Sequence, residues 1–200
     1  MKLRGLYAIT PDGNDSASVL RKVEGALEGG IAALQYRNKS ASPAQRIREA
    51  MALAQLCRAH GVPLIINDDL ALAIEIDADG VHLGRDDGDL ALARAKLPRK
   101  LLGASCYNDA GLGRKAVDAG ADYVAFGSLF SSPSKPGAVR APLSLFTQDL
   151  GVPLCAIGGI TVQNAPQLIA AGADLLAVIS DLFDAPDVKT RALQYRGLFE

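Results

Sequence analysis

The chain has 200 residues, 49% apolar and 22% charged, and its 21 Lys and Arg against 22 Asp and Glu leave a net charge of −1. That balance excludes a protein built on non-specific attraction to nucleic acid, and no apolar run reaches the ~18 residues that a membrane helix needs. The N-terminal MKLRGLYAIT meets the polar Asp12 before the core of an export signal can form. Cys57, Cys106 and Cys155 are too far apart for a metal-binding pair, so they are expected to be free packing residues of a cytoplasmic chain.

In chain order, eight short apolar runs alternate with helical stretches. Leu6–Ile9 (LYAI) precedes a helix over Ala17–Glu28, and Ala33–Tyr36 (ALQY) precedes one over Ala44–His60. Leu64–Ile66 (LII) leads to Leu70–Ile76, and Gly80–Leu83 (GVHL) to Leu90–Lys96. Leu101–Ala104 (LLGA) leads to Ala110–Ala119, and Tyr123–Phe126 (YVAF) to Leu143–Leu150. Leu154–Ile157 (LCAI) leads to Ala165–Ala171, and Leu175–Ile179 (LLAVI) to Val188–Phe199. The runs do not clearly alternate, as expected of parallel strands covered on both faces. Glycines stop the helices at Gly29/Gly30, Gly61, Gly120, Gly151 and Gly172. AGAD precedes both YVAF and LLAV, and GVPL opens both LII and LCAI. These repeated joints predict an α/β chain folded as a single (β/α)8 barrel, a TIM barrel, spanning residues 1–200. The rival is a doubly wound open sheet, but no G-x-G-x-x-G follows the first run.

In such a barrel the active site lies where the strands end. Gln35, Arg37 and Lys39 follow or close the second run, and in an extended segment they share one face. Arg and Lys together suit phosphate oxygens. Asn67, Asp68 and Asp87 follow the third and fourth runs and form a hard oxygen set suited to Mg²⁺, while Asp69 reads as a helix cap. Ser105 and Tyr107 follow the fifth run. The stretch 131–142, with Ser132, Ser134 and Lys135, is long for its place and reads as a lid. Gly159 in IGGIT and the pair Ile179–Ser180 follow the last two strands, where barrels often bind phosphate. No nucleophilic triad is present. His82 is as compatible with core packing as with catalysis, and His60 reads as structural. The inventory suits two phosphorylated groups and a metal, with metal-assisted departure of diphosphate.

The ordered motifs LYAIT, QYRNK, NDD, GVHLG with an acidic pair, GASC, YVAFGSLFSSPSKPG, AIGGIT and VIS resemble those of the thiamine phosphate synthase family over nearly the whole chain. The resemblance implies a Mg²⁺-dependent transferase. Such an enzyme joins hydroxymethylpyrimidine diphosphate to a thiazole phosphate, through a pyrimidine carbocation, and releases diphosphate. It implies that Gln35, Arg37, Lys39, Asn67 and Lys135 hold the pyrimidine substrate's diphosphate, and that Asp68 and Asp87 hold the metal. Ser105 would contact the pyrimidine, with Lys135, Arg37 and Ser105 as the catalytic residues. Ser132, Ser134, Gly159, Ile179 and Ser180 would hold the thiazole phosphate. The implied partners are phosphorylated small molecules, with neither nucleic acid nor membrane, and a homo-oligomer is allowed. Two departures stand out: Arg85 replaces the usual Gln after HLG, and serines replace threonines in SSPSK. A thiazole tautomerase-like paralogue and a non-catalytic thiazole-phosphate-binding barrel are the alternatives. Arg37, Lys39, Asp68, Asp87 and Lys135, all present, favour the synthase.

Overall fold

A computed structural model describes residues 3–13, 15–130 and 140–200. Eight parallel strands close into a barrel in sequence order: β1 (Gly5–Ile9), β2 (Ala33–Tyr36), β3 (Leu64–Asn67), β4 (Gly80–Leu83), β5 (Leu101–Tyr107), β6 (Tyr123–Phe126), β7 (Leu154–Ile157) and β8 (Leu175–Val178). Pairing of β1 with β8 seals the ring. The helices are α1 (Ser16–Glu28), α2 (Pro43–His60), α3 (Leu70–Glu75), α4 (Leu90–Lys96), α5 (Ala110–Asp118), α6 (Ala165–Ala170), α7 (Ser180–Phe183) and α8 (Val188–Gly197). None of the helices is long and apolar enough to cross a membrane, among the described residues.

The runs hide their alternation because both faces are buried. One set of side chains, including Tyr7, Ile9, Ala33, Ile65, Tyr123, Cys155 and Leu175, fills the interior. The intervening set, including Leu6, Leu34, Ile66, Val81, Val124, Leu154 and Leu176, packs under the helices. All three cysteines are buried and free.

The repeated AGAD phrase has a physical role. Asp122, one residue before β6, accepts a hydrogen bond from the Leu102 N–H at 2.8 Å, and Asp174, one residue before β8, accepts from the Leu154 N–H at 3.1 Å. Asp79, before β4, does the same for the Leu64 N–H at 2.9 Å. In each case a carboxylate satisfies the first free donor of the preceding strand, which sets the register at the closed end of the barrel.

Three boundaries differ from the sequence reading. Ser105 and Tyr107 lie within β5, which runs to Tyr107, rather than after it. A register shift against β6 falls between these two residues, the kind of bulge that re-aims side chains at a barrel rim. The stretch expected as a helix over Leu143–Leu150 is a 3₁₀ turn over Leu143–Thr147 that follows Pro142 without a side-chain cap. A first turn with no cap and a return to extended backbone at Gln148 leaves nothing to propagate an α-helix. The four-residue α7 follows β8 directly, where no separate helix is expected from the sequence.

Candidate active site

The polar groups gather at the C-terminal ends of the strands. The β2 end is anchored from below. Glu49 of α2, 5% exposed, accepts hydrogen bonds from Ser16 at 2.5 Å, Tyr36 at 2.7 Å, Gln45 at 2.9 Å and Asn38 at 3.0 Å. Burial pushes its carboxyl up, but these four donors outweigh burial and hold it below the ordinary value. Tyr36 and Asn38 are thereby clamped on either side of Arg37.

Arg37 is also fixed through its backbone. Its N–H donates to Thr10 Oγ1 at 2.8 Å, and Thr10 Oγ1 donates back to the Arg37 carbonyl at 2.8 Å. The Arg37 guanidinium pairs with Asp12, whose other oxygen accepts from the Lys39 N–H at 2.8 Å. Lys39 Nζ lies 2.9 Å from Asp68 Oδ2. The strand geometry ends at Tyr36, so Gln35 departs from the shared face expected with Arg37 and Lys39. Gln35 is 3% exposed and points into the barrel, where its Nε2 donates to Tyr7 Oη at 2.8 Å. Thr10 and Asp12 are site residues the sequence reading passes over, although they follow the first strand and obey the same positional rule as the others.

Asp68 and Asp87 come together. Asp68 follows β3 with φ of 62°, a left-handed conformation that Asp tolerates better than most residues. Asp87 Oδ2 accepts from the Gly84 N–H at 2.8 Å. The two carboxyls are within hydrogen-bonding reach of each other. Burial pushes Asp68 up, but bonds from Lys39, Asp87 and Asn67 outweigh it and hold Asp68 below the ordinary value. Asp87 is raised above the ordinary value, by burial first and then by its neighbour Asp68. Asp69 caps α3, accepting from the Leu72 N–H at 2.9 Å, and does not join the pair. Among the described residues no group of three or more His, Cys, Asp and Glu is placed to hold a metal. Two carboxylates are nevertheless a fitting set for Mg²⁺, which keeps several waters and completes its shell with substrate phosphate oxygens.

Beneath the rim, a buried chain of polar groups crosses the barrel. Tyr7 Oη and Tyr123 Oη are 2.7 Å apart, with the rings edge to face at 5.7 Å. Tyr123 Oη is 3.0 Å from His82 Nδ1, and His82 Nε2 is 2.9 Å from Ser105 Oγ. Gly103 makes room for this meeting, since a Cβ there would lie 2.1 Å from Tyr123 Cζ and 2.5 Å from His82 Nδ1. Tyr7 and Tyr123 hide from the sequence reading because they sit inside apolar runs.

Burial lowers the His82 pKa from 6.5 to about 4, against a weaker upward pull from Asp68. Between those values the unfolded chain binds a proton that the folded chain does not. Stability is therefore expected to fall as pH drops from about 6.5 toward 4, by up to ~3 kcal/mol from this residue. Thermal midpoints measured across that window should show the slope, and His82→Asn should remove it; an equal slope in both proteins would assign it elsewhere.

Arg85 lies over the Tyr107 ring at 4.8 Å. On the far side of the mouth, the β6 and β7 ends are joined: the Leu129 N–H donates to the Ile157 carbonyl at 3.2 Å and the Phe130 N–H to the Gly158 carbonyl at 3.0 Å. Gly159 has φ of 63°, and its carbonyl accepts from Asn164 Nδ2 at 2.9 Å. Asn164 Oδ1 accepts from the Thr161 N–H at 2.8 Å, so Asn164 shapes this turn from both ends. Ile179 leads directly into α7, which begins at Ser180. Ser132, Ser134 and Lys135 lie outside the described residues.

Fold and mouth together define a (β/α)8-barrel enzyme with paired carboxylates and cations at its strand ends. The chain matches the family described as thiamine monophosphate synthase over residues 6–182. It is 57% identical to a thiamine-phosphate synthase of Aromatoleum aromaticum, covering 100% of this chain and 98% of that one. It is 58% identical to the thiamine-phosphate synthase of an Azoarcus species, covering 99% and 98%. Among solved structures, a thiamine phosphate pyrophosphorylase from Pyrococcus furiosus superposes with a TM-score of 0.86 at 31% identity, covering 99% and 96%. The chain belongs to the thiamine monophosphate synthase family, and its activity is the transferase activity that gives the family its name.

Proposed function

We propose that the barrel mouth joins hydroxymethylpyrimidine diphosphate to a thiazole phosphate, with Mg²⁺ at Asp68 and Asp87, and that residues 1–200 form one catalytic domain. The observation that carries this reading is the carboxylate pair at the ends of β3 and β4, in contact with Lys39 and close to the Arg37 segment. A metal with two carboxylate ligands would supply Lewis-acid stabilisation of the departing diphosphate.

The chain's own residues do the rest. Arg37, Lys39, Asn67 and Lys135 bind the diphosphate, the first two exchanging Asp12 and Asp68 for phosphate oxygens. Ser105 orients the pyrimidine, while Gln35, expected on the diphosphate, is enclosed in the barrel and supports the site from beneath. Ser132, Ser134, Gly159, Ile179 and Ser180 hold the thiazole phosphate so that its ring nitrogen faces the pyrimidine methylene carbon. The C–O bond to diphosphate breaks, the C–N bond forms, and diphosphate carries away the electron pair. Positioning and charge stabilisation suffice for such a step, which asks for no enzyme nucleophile.

The deciding assay follows thiamine phosphate by mass spectrometry with both substrates, with and without Mg²⁺. Product that appears only with the metal supports the reading. No product from folded protein would move it to a tautomerase-like or ligand-binding barrel. Lys135→Ala is expected to raise the KM for the pyrimidine diphosphate by about 10- to 100-fold, the loss of one charge-assisted contact. Unchanged KM would remove Lys135 from the diphosphate site.

A further inference from the structure

The buried chain beneath the rim carries a direction. Each tyrosine hydroxyl has one proton to give, and each neutral imidazole has one N–H and one bare nitrogen. Gln35 Nε2 donates to Tyr7 Oη, which leaves the Tyr7 proton for Tyr123 Oη. Tyr123, having accepted, gives its proton to His82 Nδ1. His82 must then carry its proton on Nε2, which donates to Ser105 Oγ. Ser105 has accepted, so its own proton remains free. Ser105 is half-buried while Gln35, Tyr7 and Tyr123 are enclosed, so the open end of the relay is a hydroxyl donor at the rim.

We infer that Tyr7, Tyr123 and His82 are positioning residues that transmit one hydrogen-bond direction from Gln35 on β2 to Ser105 on β5, so that the Ser105 proton is presented to a substrate atom that accepts, such as a bare ring nitrogen of the pyrimidine. This deepens the proposed function and rests on it for the identity of the substrate. The opposite direction needs either the Gln35 amide turned over or a Tyr7 that accepts from both Gln35 and Tyr123 and leaves its own buried proton without an acceptor. In that arrangement His82 carries its proton on Nδ1 and Ser105 gives its proton inward. The two arrangements differ at one nitrogen, which makes them distinguishable. Among the described residues the His82 nitrogens meet Tyr123 and Ser105 and no carboxylate, so the polarity is decided by the amide end.

The test is a proton–nitrogen NMR correlation on the full chain with ¹⁵N-labelled histidine, at neutral pH and without substrate. The chain has 2 histidines, so His60→Gln leaves a single imidazole to read. The expected spectrum shows His82 protonated on Nε2 with bare Nδ1. An Nδ1-protonated ring would overturn the inference. Gln35→Glu, whose carboxylate can only accept, should reverse the relay and move the proton to Nδ1 across the barrel. Tyr123→Phe keeps the ring that packs on Tyr7 and removes one donor. It is expected to raise the KM for the pyrimidine diphosphate by about tenfold, leaving the KM for the thiazole phosphate unchanged. Equal changes for both substrates, or an unmoved proton in Gln35→Glu, would reduce these residues to ordinary core. The spectrum needs no substrate, so failure of the synthase reading would appear in the turnover assay and leave the spectrum intact.

Discussion

Asp68→Asn is expected to lower thiamine phosphate turnover by about 10³-fold, corresponding to about 4 kcal/mol of lost transition-state stabilisation. The substitution keeps size and shape but removes one of two carboxylates from the proposed metal site. It also leaves Lys39 without its 2.9 Å ionic partner. Stability should hardly change, because the Asp68 side chain is 26% exposed and surface pairs of this kind contribute ~0–1 kcal/mol. Asn is the better probe than Ala, since residue 68 has φ of 62° and Ala there would add about 1 kcal/mol of backbone strain. Calorimetry should show thiazole phosphate binding close to wild type. Wild-type turnover, or joint loss of turnover and thiazole phosphate binding, would defeat the assignment of Asp68 to the metal.

Gly103→Ala is expected to be strongly destabilising. The added Cβ would sit 2.1 Å from Tyr123 Cζ, 2.2 Å from Tyr123 Oη and 2.5 Å from His82 Nδ1. Both partners are stiff rings held by further bonds, Tyr123 to Tyr7 and His82 to Ser105, so neither can step aside cheaply. Overpacking of this kind costs about 3 kcal/mol. For a chain of this size that lowers the thermal midpoint by roughly 6–12 °C. The Tyr123–His82 hydrogen bond should be lost as well, so activity on the pyrimidine substrate should fall even at temperatures where the variant is folded. A midpoint within about 2 °C of wild type would mean that β5 shifts to absorb the methyl group.

The two predictions differ in how far sequence reaches them. Asp68 is visible in the sequence because it follows an apolar run, and a barrel puts such residues at its mouth. The partnership of Asp68 with Asp87 is also legible, as both follow adjacent strands. Gly103 carries no such signal. It reads as an ordinary small residue in LLGA, and only the approach of Tyr123 and His82 from β6 and β4 shows why nothing larger fits. The cations tell a similar story. Arg37 and Lys39 are identifiable as anion binders from their types and spacing. That Asp12 holds one and Asp68 the other depends on loops from β1 and β3 meeting the end of β2.

The sequence by itself determined the architecture: the length, eight apolar runs, the glycine stops and the repeated AGAD and GVPL joints define a barrel and its polar end. Local chemistry suffices there, since each run, cap and turn is written in neighbouring residues. Tertiary structure alone decided the interior. Tyr7, Gln35, His82, Ser105 and Tyr123 come from five different strands, and their spacing along the chain carries no trace of the bonds between them. The physical reason is closure. Only when β1 pairs with β8 do interior side chains from opposite walls face each other across the barrel, and only there must every buried hydroxyl and ring nitrogen find a partner.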